Sequence, residues 1–304
     1  MKRGYLLTTL MALAVSATLI AQPAEVKDPT PPSGDTVGSP AEATGGPDAF
    51  GYTYADSAEP NCTYQFVDIS ATGIFLFDGD DSSSGPVALS EPIDIYGTSF
   101  SDIVMASNGY MSTDLTDTGP DLSNDCPVPA APSTGGGARL YPLHDDLDLE
   151  AGIGSGVAEY FAECPRVNDR CPIESCTVFQ WDDVAHFPGG AAEPTWDMEV
   201  ILYHKTNDIV YQVGAGNPET GSGSTTGIQD FPPPTTGLNY ACDTGGSVPD
   251  DTGICILHPN PVPEDCFPII PSPVEVPTAN NFGLLALFLG LAAAAIFLLR
   301  RRLA

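Results

Sequence analysis

Apolar residues in this chain come in short runs, many alternating with polar ones, and Gly, Asp, Ser or Pro separates each run from the next. A period of two places successive side chains on opposite faces of a strand, and no sustained helical period competes with it before the C-terminus. The pattern predicts strands at Tyr64–Ile69, Gly73–Phe77, Pro92–Tyr96, Ile103–Ser107, Gly109–Thr113, Val157–Phe161, Thr177–Val184, Met198–His204 and Ile209–Val213. The clearest hairpin is EVILYHKTNDIVYQV. Val200 and Leu202 alternate with Ile201 and Tyr203, Thr206-Asn207-Asp208 supplies turn chemistry, and Ile209, Tyr211 and Val213 resume the alternation. Asn108-Gly109 joins two further runs and reads as a type I′ turn. Short strands with turns between them predict an all-β fold, a β-sandwich or jelly-roll-like domain.

Both ends break this pattern. Lys2 and Arg3 precede a mostly apolar stretch, Leu6–Leu19, and small residues follow to Ala21. This is the order of a secretory signal, with Ala17, Ala21 and Ala24 as alternative cut sites. Near the other end, Phe282–Leu299 is an unbroken apolar run without charge, followed by Arg300, Arg301 and Arg302. A run of about 20 such residues crosses a bilayer as a helix. Basic residues directly after it act as a membrane stop and favour the cytoplasmic side. The expected organisation is a signal peptide at 1–21, a disordered linker at 22–50, a β-sandwich ectodomain at 51–258, a Pro-rich stalk at 259–279, a transmembrane helix at 280–299 and a basic cytoplasmic tail at 300–304.

Charge narrows the choice of partners. The chain has 304 residues, and all 40 acidic ones lie between the two terminal segments, where only Lys27, Arg139, Arg166, Arg170 and Lys205 are basic. Such a field repels nucleic acid and anionic lipid. The same region holds all eight cysteines: Cys62, Cys126, Cys164, Cys171, Cys176, Cys242, Cys255 and Cys266. An even count in an exported chain reads as a disulfide framework, and spacing alone leaves its connectivity open. Cys164, Cys171 and Cys176 fall between two predicted strands and are expected to staple that hairpin. Cys242 and Cys255 are expected to pair across a Gly/Asp-rich loop. No C-x-x-C spacing supports zinc.

Two resemblances add to this reading. Val276-Pro277-Thr278-Ala279, the apolar helix and the arginine cluster together resemble an IPTL-type C-terminal sorting signal, with Val276 and Ala279 where that family usually has Ile and Leu. The resemblance implies an exosortase-like sorting enzyme as partner, with Val276, Pro277 and Thr278 as the sorting motif and a cut near Thr278. The central region resembles bacterial nidogen-like extracellular β-sandwich domains over residues 90–240. The pieces that carry this are YGTSF from Tyr96, VMASNGYM from Val104, YPLHDDLD from Tyr141, FQWDDV from Phe179, MEVILY from Met198, DIVY from Asp208 and TGIQ from Thr226. That family implies a surface or adhesive module.

Candidate chemistry is sparse. Asp145, Asp146 and Asp148, with Glu150 nearby, carry the oxygen donors of a structural Ca²⁺ site, and Asp78, Asp80 and Asp81 around Gly79 form a second such set. Each reads more readily as a solvated acidic turn. His144 beside Asp145 and Asp146, and His186 near Asp182 and Asp183, can be drawn as acid–base pairs, but no G-x-S-x-G, H-E-x-x-H or P-loop accompanies them. Trp181 and Trp196 suit sugar stacking or core packing. No catalytic residue and no cofactor are assigned. The leading expectation is an exported, non-catalytic β-domain protein of the cell envelope or surface, with a structural, adhesive or matrix role and an unidentified extracellular ligand. The alternatives are a secreted carbohydrate- or calcium-binding module and a secreted hydrolase.

Overall fold

The alternation read in the sequence becomes two antiparallel sheets in the computed structural model, which describes residues 43–124, 126–150, 154–188, 194–218, 220–267 and 281–302. In chain order the strands are β1 (Thr44–Gly45), β2 (Thr53–Asp56), β3 (Ile74–Phe77), β4 (Gly79–Asp80), β5 (Ser83–Ile95), β6 (Thr98–Ala106), β7 (Tyr110–Ser112) and β8 (Arg139–His144). They continue with β9 (Leu147–Leu149), β10 (Ser155–Phe161), β11 (Cys176–His186), β12 (Trp196–Tyr203), β13 (Ile209–Val213), β14 (Thr225–Gln229), β15 (Gly237–Cys242) and β16 (Thr252–Leu257). The larger sheet runs β1-β2-β16-β13-β12-β11-β10-β3, with β9 pairing β11 and β4 pairing β9; the smaller runs β15-β14-β8-β7-β6-β5.

Alternation decides which side chains meet between the sheets. On β12, Trp196, Met198, Val200 and Leu202 enter the main core, joined by Phe179 and Trp181 of β11 and Tyr211 of β13. The smaller sheet contributes Met105, Met111, Leu140, Leu143 and Ile228. Polar tips tie the layers: Trp181 Nε1–H donates to the Ala106 carbonyl at 2.8 Å, Tyr211 O–H to the Gly227 carbonyl at 2.9 Å and Tyr240 O–H to Asp56 Oδ2 at 3.0 Å. Both tryptophans are buried, so neither is a sugar platform. The predicted β12–β13 hairpin forms, pairing Leu202 with Ile209 and Met198 with Val213, with Asn207 in the left-handed region at its turn.

The intervening residues of β11–β13 face the other way and are also buried. Val178, Ile201, Tyr203 and Val210 form a second apolar cluster with Val67, Ile69 and the half-cystines Cys62 and Cys255. The cover is the segment expected to be a strand at Tyr64–Ile69. It joins no ladder; instead side chains of the sheet take its backbone donors. The Gln65 N–H donates to Gln212 Oε1 at 2.6 Å, Val67 N–H to Glu199 Oε1 at 3.1 Å and Ile69 N–H to Gln180 Oε1 at 2.7 Å. Gln180, Glu199 and Gln212 stand opposite one another on adjacent strands, so they form one polar row beneath the segment.

All eight cysteines are in disulfides. Cys62–Cys255 holds the covering segment to β16, Cys126–Cys242 ties the loop before β8 to β15, and Cys164–Cys176 closes the β10–β11 hairpin. The expected Cys242–Cys255 pair does not form: Cys242, on β15 of the smaller sheet, bonds Cys126, and Cys255, on β16 of the larger, bonds Cys62. Residues 43–50, expected in the linker, belong to the domain. β1 pairs with β2, and Asp48 Oδ1 accepts the N–H groups of Phe50, Gly51 and Tyr52. The signal segment and the sorting motif Val276-Pro277-Thr278 lie outside the described residues.

The chain from Glu264 forms a separate unit with a helix, α1 (Asn281–Arg302). Leu285, Leu287, Phe288, Leu289, Leu291, Ile296, Phe297, Leu298 and Leu299 on it are all exposed. Among the described residues no helix is long and apolar enough to cross a membrane. The expected crossing at 280–299 rests on the sequence of the apolar run.

Burial pushes the Glu199 carboxyl up to about 8, against the Val67 N–H and Gln212 hydrogen bonds that favour its charged form. A folded-state value above the ordinary 4.5 means that the folded chain holds this proton more tightly than the unfolded one. The contribution is therefore fully present below about pH 4.5 and is lost as pH rises to about 8. Asp182, raised to about 6 by burial and by Asp197, Asp183 and Asp68, adds a slope of the same sign. Glu199→Gln keeps an acceptor for Val67 and removes its share of the slope; urea denaturation across pH 5–8.5 is expected to show a flatter dependence than the parent. Cys62→Ala/Cys255→Ala is expected to lower stability by roughly 2–5 kcal/mol in the same assay, by freeing the cover from the sheet.

Candidate functional site

Sheet pairing carries the two acidic segments of the sequence to one place. β4 pairs with β9, setting Asp80 opposite Asp148 and Gly79 opposite Leu149. β9 pairs in turn with the far end of β11, where Ala185 faces Asp148 and His186 faces Leu147. The turn between β8 and β9 holds Asp145 and Asp146. The Asp146 N–H donates to Asp145 Oδ1 at 2.8 Å, and the Phe187 N–H donates to the Asp146 carbonyl at 2.8 Å. Carboxylate oxygens of Asp80, Asp81 and Asp146 come within 4.8 Å of one another. The predicted trio of Asp145, Asp146 and Asp148 is thus divided: Asp146 joins Asp80 and Asp81, while Asp148 Oδ1 accepts the Glu150 N–H at 2.7 Å.

Asn108 holds this meeting point together. Its Nδ2 donates to Asp81 Oδ1 at 3.1 Å and to the Gly119 carbonyl at 3.2 Å, and its Oδ1 accepts the Leu147 N–H at 2.9 Å. The β6–β7 connection is not the type I′ turn expected. Ser107, Asn108 and Gly109 all lie between the paired Ala106 and Tyr110, and of the three only Gly109 has a positive φ, 67°. A Cβ on Gly109 would stand 1.9 Å from the Leu143 carbonyl oxygen, so both the space and the backbone conformation require glycine. Ser107 completes the join: its Oγ accepts the Ser82 N–H at 3.0 Å and its own N–H donates to the Ser82 carbonyl at 2.8 Å.

The histidines are placed otherwise than the acid–base drawings suggest. His144 is fully buried, stacked on Tyr141 and edge-on to Tyr110. Its Nδ1 faces the Asn108 carbonyl at 2.7 Å and its Nε2 the Ser123 carbonyl at 2.9 Å, an arrangement that pins the loops on either side of the ring. His186 lies near Asp145, Nε2 to Oδ2 3.9 Å, rather than being held by Asp182 or Asp183. Sequence reasoning missed Arg139. It is buried at the start of β8 and bonds Asp117 at 3.0 Å and Asp121 at 2.8 Å, with its guanidinium over the Tyr110 ring. Few basic residues occur between the two terminal segments, and that scarcity was the available signal.

Three carboxylates at this spacing are donors suited to a hard cation, which would complete its shell with water or carbonyl oxygens. A second grouping, Cys126, Cys242 and Asp243, offers no thiolate, because its sulfurs form a disulfide. Acids of the meeting point also make structural bonds: Asp81 Oδ1 accepts from Asn108 Nδ2 and Asp145 Oδ1 from the Asp146 N–H.

A model of the NIDO-related family matches residues 51–251, well over half of the chain. No curated protein and no solved structure matches it. The matched span contains β2 to β15 and the acidic meeting point. Asn108→Ala would remove the acceptor for the buried Leu147 N–H and release Asp81 and the Gly119 carbonyl. The expected loss is about 2–3 kcal/mol in chemical denaturation, with Asn108→Asp failing to restore it because a carboxylate cannot donate to Asp81.

Proposed function

The chain belongs to the NIDO-related family, and from that premise we propose that it is an exported, surface-sorted, non-catalytic β-domain protein with a structural, adhesive or matrix role. The observation that carries this is the pairing of every cysteine within an acidic extracellular-type sandwich. Disulfides of this number persist in oxidising compartments. The burial of all four histidines favours a binding or scaffolding role over hydrolysis, and the burial of both tryptophans disfavours sugar stacking on them.

The anchor belongs to the same proposal. Phe282–Leu299 is apolar throughout, and its described large side chains are exposed around the helix, as suits lipid contact. Arg300, Arg301 and Arg302 would hold the far end in the cytoplasm. Val276-Pro277-Thr278 ahead of that run would be read by an exosortase-like enzyme that cuts near Thr278 and passes the ectodomain onward. Intact mass and C-terminal peptide mapping of the mature protein, after fractionation of its native host, test this. The expected result is a chain ending near Thr278, outside the inner membrane. A chain ending at Ala304 in that membrane would remove the sorting step and leave a permanent one-helix anchor.

A further inference from the structure

The two sheets meet unevenly along one side. β3 ends the larger sheet with β10 as its only strand neighbour, and β5 ends the smaller with β6 as its own. Among the described residues, no strand pairs the outer edge of either. Edge strands of this kind present unpaired N–H and C=O groups to an incoming chain. β5 is protected in part by Pro86 and Pro92, which lack the donor. β3 reads Ile-Phe-Leu-Phe and has no charge or proline to blunt it. Its Ile74 is 74% exposed and its Phe75 60%.

Between these strands lies a groove of about 450 Å³, lined by Ile74 and Leu76 of β3, Ala158 and Tyr160 of β10, and Val87 of β5, among others. Leu76, Val87 and Ala158 also pack in the main core, so the floor of the groove is the edge of that core. Ile74 and Leu76 are two apart on one strand, as are Ala158 and Tyr160, and each pair therefore shares a face. The rim is acidic. Glu159 lines the groove, and Glu91 accepts the Tyr160 O–H at 2.7 Å. No lining residue is basic.

We propose that this groove accepts an extended segment of another protein as an added strand, and that the segment alternates aliphatic residues with Lys or Arg. Backbone pairing to β3 would supply affinity, the apolar floor would take alternate side chains, and Glu159 would select positive charge between them. Charge complementarity decides the occupant. A second copy would bring its own Glu91 and Glu159 and a strongly acidic domain against the same rim. No segment of this chain's exported region fits, since its five basic residues are scattered and Arg139 and Arg166 are buried. The surface goes beyond an adhesive role in general, and it stands whether or not the C-terminal helix is cut.

The test uses the full chain in detergent and a fluorescein-labelled peptide of alternating valine and lysine, read by fluorescence anisotropy. Saturable binding is expected, about tenfold weaker for Ile74→Lys, in line with the loss of one buried aliphatic contact and the addition of a like charge. Ile74 is exposed, so this variant should fold, which its parent-like melting curve would verify. Glu159→Gln should weaken binding and reduce its salt dependence. A peptide of the same charge with proline at its central valine should bind at least tenfold more weakly. Equal binding of the proline peptide would mean plain charge attraction, and equal binding of a valine–glutamate peptide would remove the charge argument; either overturns the proposal. Sedimentation showing a dimer of the chain that Ile74→Lys dissolves would assign the groove to a second copy and overturn it as well.

Discussion

A sheet buried on both faces must have two covers, and the second cover here is a single extended segment with no ladder of its own. Residues 64–69 reach across β13, β12 and β11 and place alternate N–H groups on Gln212, Glu199 and Gln180. Backbone donors buried without partners would each cost free energy comparable to a lost hydrogen bond. The polar row therefore lets an irregular chain seal an apolar face. Glu199 is the costly member, since its carboxyl is buried and driven toward the neutral form. Its place at the centre of the row, bonded to both Val67 and Gln212, is what makes that burial tolerable. The Cys62–Cys255 bridge then keeps the cover from leaving with its donors.

This arrangement explains which parts of the fold were legible in the sequence. The β12–β13 hairpin was visible because its turn residues and its alternation agree, and alternation survives even where both faces are buried, as large aromatic and aliphatic side chains serve both cores. The 64–69 run was read as a strand because Tyr64, Phe66, Val67 and Ile69 make it a short, largely apolar run. What periodicity could not show is that its hydrogen-bond partners are side chains. β8, β14, β15 and β16 escaped notice for a different reason. They are short, buried and interrupted by Pro142, Gly227, Gly237 or Gly253, so that neither alternation nor a long apolar run marks them.

The acidic segments were legible as residues and not as a site. Asp80 and Asp81 are far from Asp146 in sequence, and the strand pairing of β4 with β9 that joins them is non-local. Asn108 was read as turn chemistry alone. Its buried amide is the link between the β6–β7 tip, the Asp81 turn and the start of β9. The pieces on which the nidogen-like resemblance rests, the SNGY and HDDLD stretches, are thus neighbours in space. Their order along the chain reflects one hub with several spokes.

Acidity and the open edge bear on each other. An exposed apolar edge strand invites pairing with its own kind, and proteins usually blunt such edges with charge, proline or a cover. β3 carries none of these on its own residues, yet it belongs to a strongly acidic chain, with Glu159 lining the groove and Glu91 bonded to Tyr160 beside it. Like charge raises the cost of a second copy approaching while leaving the backbone edge available to an oppositely charged segment. Self-pairing is restrained by the field around the strand rather than by the strand itself. The selectivity of the edge then depends on ionic strength, because exposed charges beyond about 10 Å are screened at 0.1 M salt. High salt would weaken the repulsion between copies and the attraction of a basic segment together, so the charged rim governs both what the edge admits and what it turns away.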